Sequence, residues 1–550
     1  MLLHSIFIKQ RKALTTLLFS IFLIVLILPH TSVIHRPLYG LHDIVNGEHL
    51  TIVQLWKSEG IDTHHFVPIF SFKPYDTLSR NAGLEGSNGR IYYASYPPLS
   101  FWIDYLIASF PGVQLSEALA RIVSLSVFII ALCSVSFYLY KKYSPQAAIL
   151  GAGMFSFVPA SMYYFGSLDA PEITRFVFWI PLFILLTQWY KTPTVRLLLL
   201  YGVLTCLLSL TDWLGYILTG SICLYTLSRA IAFRKSKMLI MREVALGAVT
   251  LLSSLIALVG TIALYSSVST LQNVFDLWLG KGSYRGNWSL LLSDLSTEVY
   301  GTASVLGGLH LWLQRTLNGY LWKEFGATFW LIIFALLIVF VTTVVKNWQH
   351  IRLKILENTF ASDFTLLVIF FFIPPTVMAL LLPQAHYIHD FYWLSFLPFF
   401  SMMAAVLYHW ISKHRILPAT YGSHLSFVIP LVLILLLYTQ SLSMFHTLRD
   451  EYTGGQATIN TMKLLTEVRT KTNQDDLILL PFAYQPNMWF YLGRNVLQFI
   501  TIPGHVAYYN SVFPNFRHVY YVGQDKLMVE TICGTQSFVP VGSGWMCMIQ

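Results

Sequence analysis

Eleven apolar runs, each near the length that crosses a bilayer, interrupt this 550-residue chain. A spanning helix needs roughly 20 apolar residues to cross a hydrocarbon core about 30 Å thick. The runs lie at about 14–30, 117–140, 145–165, 172–190, 196–211, 213–231, 243–267, 326–345, 364–383, 391–411 and 424–445. Only 11% of residues are charged and the mean hydropathy is +0.60, against roughly 25% charge in a soluble domain. A soluble enzyme of one or two domains is excluded, and so is a disordered or fibrous chain. The expected class is a polytopic α-helical membrane protein of about eleven spans.

The first run follows Lys9, Arg11 and Lys12 and lacks a small-residue cleavage site, so it reads as an uncleaved first helix with a cytoplasmic N-terminus. Alternation then assigns the loops. Those expected inside carry Lys141 and Lys142; Lys191 and Arg196; Arg229, Arg234, Lys235, Lys237 and Arg242; Lys346, Arg352 and Lys354; and Lys413 and Arg415. Short loops expected outside, near 166–171, 212 and 384–390, carry no Lys or Arg. This asymmetry is the positive-inside pattern. It accounts for the net charge of +9 without any nucleic-acid partner. Residues 97–111 (PPLSFWIDYLIASFP) are too short to span, and counting them as a span would invert every later loop; they read as a re-entrant or interfacial helix.

Three larger segments fall on the outer side: a first loop of about 31–116, a second of about 268–325, and a tail of 446–550 separate from the membrane part at 1–445. The tail has an α/β pattern, helical near 456–471 with a buried strand at Leu477 to Leu480, and is long enough for its own small core. Cys533 and Cys547 lie there, where a disulfide is permissible. Five cysteines in all make neither a disulfide scaffold nor a zinc array.

Acids and histidines cluster at the outer boundary. Asp43 and Glu48 lie in YGLHDIVNGEHL, Asp169 and Glu172 in FGSLDAPEITR, Asp212 in SLTDWLGY, and His386, His389 and Asp390 in LPQAHYIHDFYW. Ionisable groups at that depth are costly unless they face water or a cavity, and four loops sharing them point to a polar cavity opening outward. Each also has a plainer reading. Asp169 and Glu172 flank Pro171 and suit a helix N-terminus; Asp212 suits a tight turn; the histidines suit a wet loop; Asp43 suits a surface acid. No nucleotide-binding glycine pattern, Walker lysine, HExxH or Gly-x-Ser-x-Gly elbow is present. The near-absence of charge within the runs argues against a proton-relay pump.

Several elements together resemble a family. A first span precedes an outer loop with an early acid, then Tyr96-Pro97-Pro98-Leu99 and a short amphipathic helix. A span ending in a basic turn, Lys141 to Ser144, follows. Next come Leu168-Asp169-Ala170-Pro171, and finally His389-Asp390-Phe391-Tyr392 ahead of Pro398. Over about 14–400 the chain resembles the polytopic GT-C glycosyltransferases, nearest the ArnT-like and protein-mannosyltransferase-like members of the dolichyl-phosphate-mannose type. The resemblance implies transfer of a sugar from a polyprenyl-phosphate carrier to a lipid, glycan or protein acceptor outside the membrane, with inversion. It places the family's two acids on Asp43 and Asp169. Two departures stand out: Ile44 follows Asp43 where many members have a second acid, and Tyr96 stands where aminoarabinose-type members have a base.

The chemistry has a logic of its own. An acceptor hydroxyl needs a base, for which Asp43 is the candidate, and such a base contributes about 10²–10⁴-fold. The leaving polyprenyl phosphate needs charge stabilisation, which Lys281 and Arg285 in LGKGSYRGNW, or Arg90, could supply; an interfacial pair touching headgroups is their plainer role. Glu48, Tyr96, Glu172, Asp212, His389 and Asp390 complete the expected substrate site. A divalent metal between Asp169 and His389 is compatible with these residue types, although their spacing matches no strong metal motif. The competing readings are a flippase or polymerase-like protein acting on lipid-linked glycans, and a membrane scaffold.

Overall fold

A computed structural model describes residues 20–21, 23–25, 27–31, 34–38, 43–71, 83–233, 236–300, 304–346, 359–413, 425–451, 456–482, 486–508, 513–534 and 536–550. The start of the first expected run, with Lys9, Arg11 and Lys12, lies outside these residues, as do Arg234, Lys235, Arg352, Lys354 and Arg415. Among the described residues seven helices are long and apolar enough to cross a membrane: Glu117–Lys142, Pro171–Lys191, Leu214–Ala232, Lys237–Ser266, Asp363–Leu381, Asp390–Lys413 and Val428–Phe445. Val305–Phe325 and Ala327–Thr342 pass only as a pair bent by 95°, which makes up to eight.

The difference from eleven has local causes. The 145–165 run breaks into Pro145–Ser156 and Pro159–Tyr164, because Pro159 has no N–H for a continuing helix and holds Val158 extended. Ser144 caps the first piece, its hydroxyl accepting from Ala147 N at 3.1 Å. The 196–211 run forms Val195–Thr211, apolar but only 17 residues long. Leu99–Ala108 has ten residues and is too short to span, as its sequence implies.

Burial sorts the bundle. In Asp390–Lys413, 94% of the most apolar stretch is buried, whereas Lys237–Ser266 and Val428–Phe445 bury 28% of theirs. Ile256, Val259, Leu435 and Leu436 stand exposed, as expected of side chains that meet lipid.

The expected second outer loop is mostly helical. Leu271–Arg285 is followed by Trp288–Tyr300 and Val305–Gln314, then by a π-helical stretch Arg315–Leu321 and a final turn Trp322–Phe325. Leu291, Leu292, Leu295 and Trp312 pack together within it. Its helices are too short to register as apolar runs, which is why the sequence reads there as a loop. Gly326 ends the segment at φ +82, a backbone angle that favours glycine, and the chain turns into the next span.

In the tail a five-stranded mixed sheet runs in the order Asn495–Leu497, Leu477–Leu479, Val519–Gly523, Gly544–Met548, Phe538–Val541. The first three strands are parallel and the last two antiparallel to their neighbours. Alternate residues point to opposite faces. Leu477, Leu479, Val519 and Tyr521 pack with Val529 of helix Lys526–Cys533, and the Cys533–Cys547 disulfide joins that helix to the sheet. Ile478, Leu480, Val522 and Met546 instead share a core with Ile52, Leu55 and Trp56 of helix Asp43–Glu59. One face of the tail is thus completed by the first loop, so its core is not wholly its own.

Candidate active site

Helix Asp43–Glu59 organises the site. Asp43, Asn46 and His49 follow one another at three-residue spacing, which places them on adjoining positions of one helical face. Asp43 is buried and bonded on both oxygens. Oδ2 lies 3.0 Å from Arg36 Nη2, and Oδ1 accepts from Arg121 Nη2 at 3.1 Å and from Asn46 Nδ2 at 3.0 Å. Arg121 is itself fully buried. Asn46 ties this group to the 166–171 loop: its Nδ2 donates to Ser167 O at 2.7 Å, and its Oδ1 accepts from Asp169 N at 2.7 Å.

Beside it lies a second group. His49 Nδ1 is 2.6 Å from Asp104 Oδ2, and the ligating atoms of His49, Asp104 and Asp169 all lie within 4.8 Å of one another. All three are buried. Burial pushes the Asp104 carboxyl up to about 8, and burial together with Asp104 raises Asp169 well above its ordinary value. Burial lowers His49, against the pull of Asp169.

The third group carries the cations. Lys281 Nζ donates to Ser95 Oγ. Burial and the neighbouring Arg285 pull its ammonium down to about 8. Arg285 makes no hydrogen bond or ion pair among the described residues; Tyr93, Tyr96, Tyr392 and Glu172 lie near it. Burial pushes the nearby Glu48 carboxyl up to about 7, against the pull of Lys281. The Tyr96 hydroxyl donates to Glu172 and also meets the Tyr392 hydroxyl; burial holds Tyr96 far above its ordinary value, so it stays a donor. Arg175, buried at the start of its span, pairs with Asp212 and donates to Ser395. Asp212 also accepts from Leu214 N at 3.2 Å, so it makes the turn and the ion pair at once.

The structure therefore brings Asp43, Glu48, Tyr96, Asp169, Glu172, Asp212, Lys281 and Arg285 into one polar region. Asp169 does not cap the Pro171–Thr174 turn, which has no side-chain cap, whereas Glu172 does sit in its first turn. The His389 ring is 5.9 Å from the Tyr392 ring, and Asp390 Oδ1 accepts from its neighbour Phe391 N. The groups that lie close enough to Asp169 to share a cation with it are His49 and Asp104, not His389 as the residue types suggest. Arg90 is engaged elsewhere, 3.1 Å from Glu59 Oε2 with Nε on Ser71 O at 2.9 Å. Residues not anticipated as part of the site are His49, Asp104, Arg121, Arg175, Asn46 and Ser95. Three of them carried a signal: Asp104, Arg121 and Arg175 are charges within largely apolar helices, and such groups mark functional interiors.

The architecture has the fold of the GT-C membrane glycosyltransferases. It superposes on ArnT from Cupriavidus metallidurans bound to undecaprenyl phosphate, with a TM-score of 0.57 and 12% identity over 98% of both chains. It also superposes on the apo oligosaccharyltransferase of Archaeoglobus fulgidus, with a TM-score of 0.55 and 12% identity over 92% of this chain and 69% of that one. No protein-family model matches the sequence, and no curated protein matches it.

Proposed function

We propose that the protein is a membrane glycosyltransferase that moves a sugar from a polyprenyl-phosphate carrier to an acceptor hydroxyl on the outer side of the membrane. The observation that carries this reading is Arg285: a guanidinium without a hydrogen-bond partner among the described residues, near Glu172 and the hydroxyls of Tyr93, Tyr96 and Tyr392 and next to Lys281. That arrangement suits an anionic group, and guanidinium binds phosphate with directed, charge-assisted bonds. As the bond from the anomeric carbon to the phosphate oxygen breaks, negative charge grows on the phosphate, and Arg285 and Lys281 stabilise it. A one-step displacement by the acceptor oxygen inverts the anomeric carbon.

The hydroxyl's proton needs a carboxylate oxygen able to accept it. Asp43, which the resemblance carries to that role, already receives bonds from Arg36, Arg121 and Asn46 on both oxygens. Glu48 makes no hydrogen bond among the described residues and lies within electrostatic range of both cations. The hydroxyl proton goes to Glu48, and Asp43 anchors and orients the helix. Asp169, tied to His49 and Asp104, lies one hydrogen-bonded residue away from Asp43.

Mass spectrometry of lipids co-purifying in mild detergent tests the donor. A bound polyprenyl phosphate or its sugar-loaded form is expected, followed by sugar transfer to a supplied acceptor. Carrier binding without transfer would favour a lipid-linked glycan flippase, and bulk phospholipid alone after adding the loaded carrier would remove the donor assignment.

A further inference from the structure

Both side chains of the Arg175–Asp212 pair are wholly out of solvent. Arg175 stands at the start of helix Phe176–Lys191, and Asp212 in the turn that leads into Leu214–Ala232. A buried ion pair yields little net stability, because desolvation offsets the attraction. Arg175 also keeps its Nε buried without a hydrogen-bond partner among the described residues, which costs further free energy. Stability alone therefore does not account for this pair. Its remaining bonds lead to the two sides of the region around Lys281 and Arg285.

One arm starts at Arg175. Its Nη2 donates to Ser395 Oγ, and Ser395 Oγ donates to Tyr392 O at 2.5 Å. These bonds brace the 3₁₀ turn Asp390–Phe396, which carries the Tyr392 hydroxyl to Tyr96 and so to Glu172. The other arm starts at Asp212. Its Oδ1 accepts from Leu214 N at 3.2 Å and its carbonyl from Gly215 N at 3.0 Å, which sets the turn that holds Trp213. Trp213 Nε1 donates to Ser95 O at 2.7 Å, and Ser95 Oγ accepts from Lys281. Next to it, Trp278 Nε1 donates to Ala94 O at 2.8 Å. Trp278, Lys281 and Arg285 follow at spacings of three and four on helix Leu271–Arg285, so they share one face. Ala94 and Ser95 thus seat the helix that presents Arg285.

We infer that Arg175 and Asp212 are positioning residues for the donor phosphate: the pair holds the Tyr392–Tyr96 side and the Lys281–Arg285 side of the site in register. The inference rests on the glycosyltransferase reading and deepens it. Both residues act through others, Arg175 through Ser395 and Tyr392, Asp212 through Trp213 and Ser95. The residue type fits the task. A guanidinium is a planar fork that serves a carboxylate and a hydroxyl at once, whereas an ammonium is a single point of charge.

The test measures binding of a short-chain polyprenyl phosphate to the folded full chain in detergent. Ser395→Ala and Trp213→Phe each cut one arm and leave the Arg175–Asp212 pair in place, so both should fold. Each should weaken binding about 2–10-fold, the worth of one hydrogen bond. Arg175→Lys keeps the charge without the fork and should weaken binding at least as much as Ser395→Ala. The losses in the two arm variants should shrink when Arg285 is already Ala, since residues that act through the same pocket are not additive. A merely structural pair would lower the unfolding midpoint and leave the affinity of the folded protein unchanged. Wild-type affinity in either arm variant, or losses that add in full to that of Arg285→Ala, overturns the inference. Wild-type protein that binds no polyprenyl phosphate removes the donor reading and this inference with it, whereas affinity lost in Arg285→Ala but kept in the arm variants removes this inference alone.

Discussion

Arg121 places a guanidinium nitrogen 3.1 Å from Asp43 Oδ1, and both side chains are almost wholly out of solvent. The same guanidinium reaches back to the carbonyls of Ile34, at 3.1 Å, and of Arg36. It thereby fastens the start of the first loop to the Glu117–Lys142 span. Removing one partner of a buried pair leaves the other charge uncompensated, at a cost of about 3–5 kcal/mol. Arg121→Leu should lower stability by about that amount, read as a fall in the thermal-unfolding midpoint in detergent. An unchanged midpoint would mean that Arg36 alone compensates Asp43.

Arg285 should act on carrier binding and not on folding, since no hydrogen bond within the described protein is lost with it. A charge-assisted hydrogen bond is worth about 1.5–3 kcal/mol, so Arg285→Ala should weaken polyprenyl-phosphate binding about 10–100-fold. Its unfolding midpoint should match wild type. Unchanged affinity in a titration with a short-chain polyprenyl phosphate would place the phosphate elsewhere.

Lys281 should make donor binding pH-dependent. With its ammonium pulled down to about 8 by burial and by Arg285, the side chain is charged below that pH and neutral above it. Donor affinity should therefore be full near neutral pH and decline as pH rises through about 8. A sugar phosphodiester is the proper probe because it does not itself titrate in this window. Lys281→Arg should flatten the profile, because an arginine stays charged throughout. A wild-type profile with no break near 8 would show that Lys281 does not face the donor.

Glu48 and Asp43 separate by kinetics. Loss of a general base costs about 10²–10⁴-fold in turnover, so Glu48→Gln should lose that factor in kcat while keeping donor KM. Asp43→Asn should mainly lower the unfolding midpoint, because it leaves Arg36 and Arg121 without a carboxylate. A folded but inactive Asp43→Asn beside an active Glu48→Gln would return the proton to Asp43.

The Cys533–Cys547 disulfide closes a loop of sequence separation 14, for which chain-entropy arguments give about 3 kcal/mol. Cys533→Ser should destabilise the tail by about that much. Limited proteolysis should then cut within 513–550 faster than in wild type. Equal cleavage rates would show that packing on helix Asp43–Glu59 holds the tail without the bridge.

Much of the site was legible as residue types. Asp169, Glu172 and Asp212 are acids at the ends of apolar runs, where charge is costly, Asp43 and Glu48 are acids early in the first outer loop, and the five converge. Tyr96, Lys281 and Arg285 join them. Less legible were the partners. Asp104 looks like the polar residue of a short amphipathic helix, and His49 like one more polar position in a mixed helix. Only their 2.6 Å approach and the nearness of Asp169 give them a shared role.

The chain's apolar periodicity was enough to specify a helical membrane protein, because a backbone in lipid must satisfy its own hydrogen bonds and a 20-residue apolar run has few other outcomes. The α/β pattern of the tail was likewise local: a helix at Gln456–Lys471 and a strand at Leu477–Leu479 follow from short-range periodicity. Which charges meet was decided by packing over long separations. Asn46 and Asp169 are 123 residues apart, Lys281 and Ser95 are 186 apart, and Tyr96 and Tyr392 are 296 apart. A side chain's type sets what it can bond, but the partner is selected by the way whole helices seat against one another, and no local pattern encodes that.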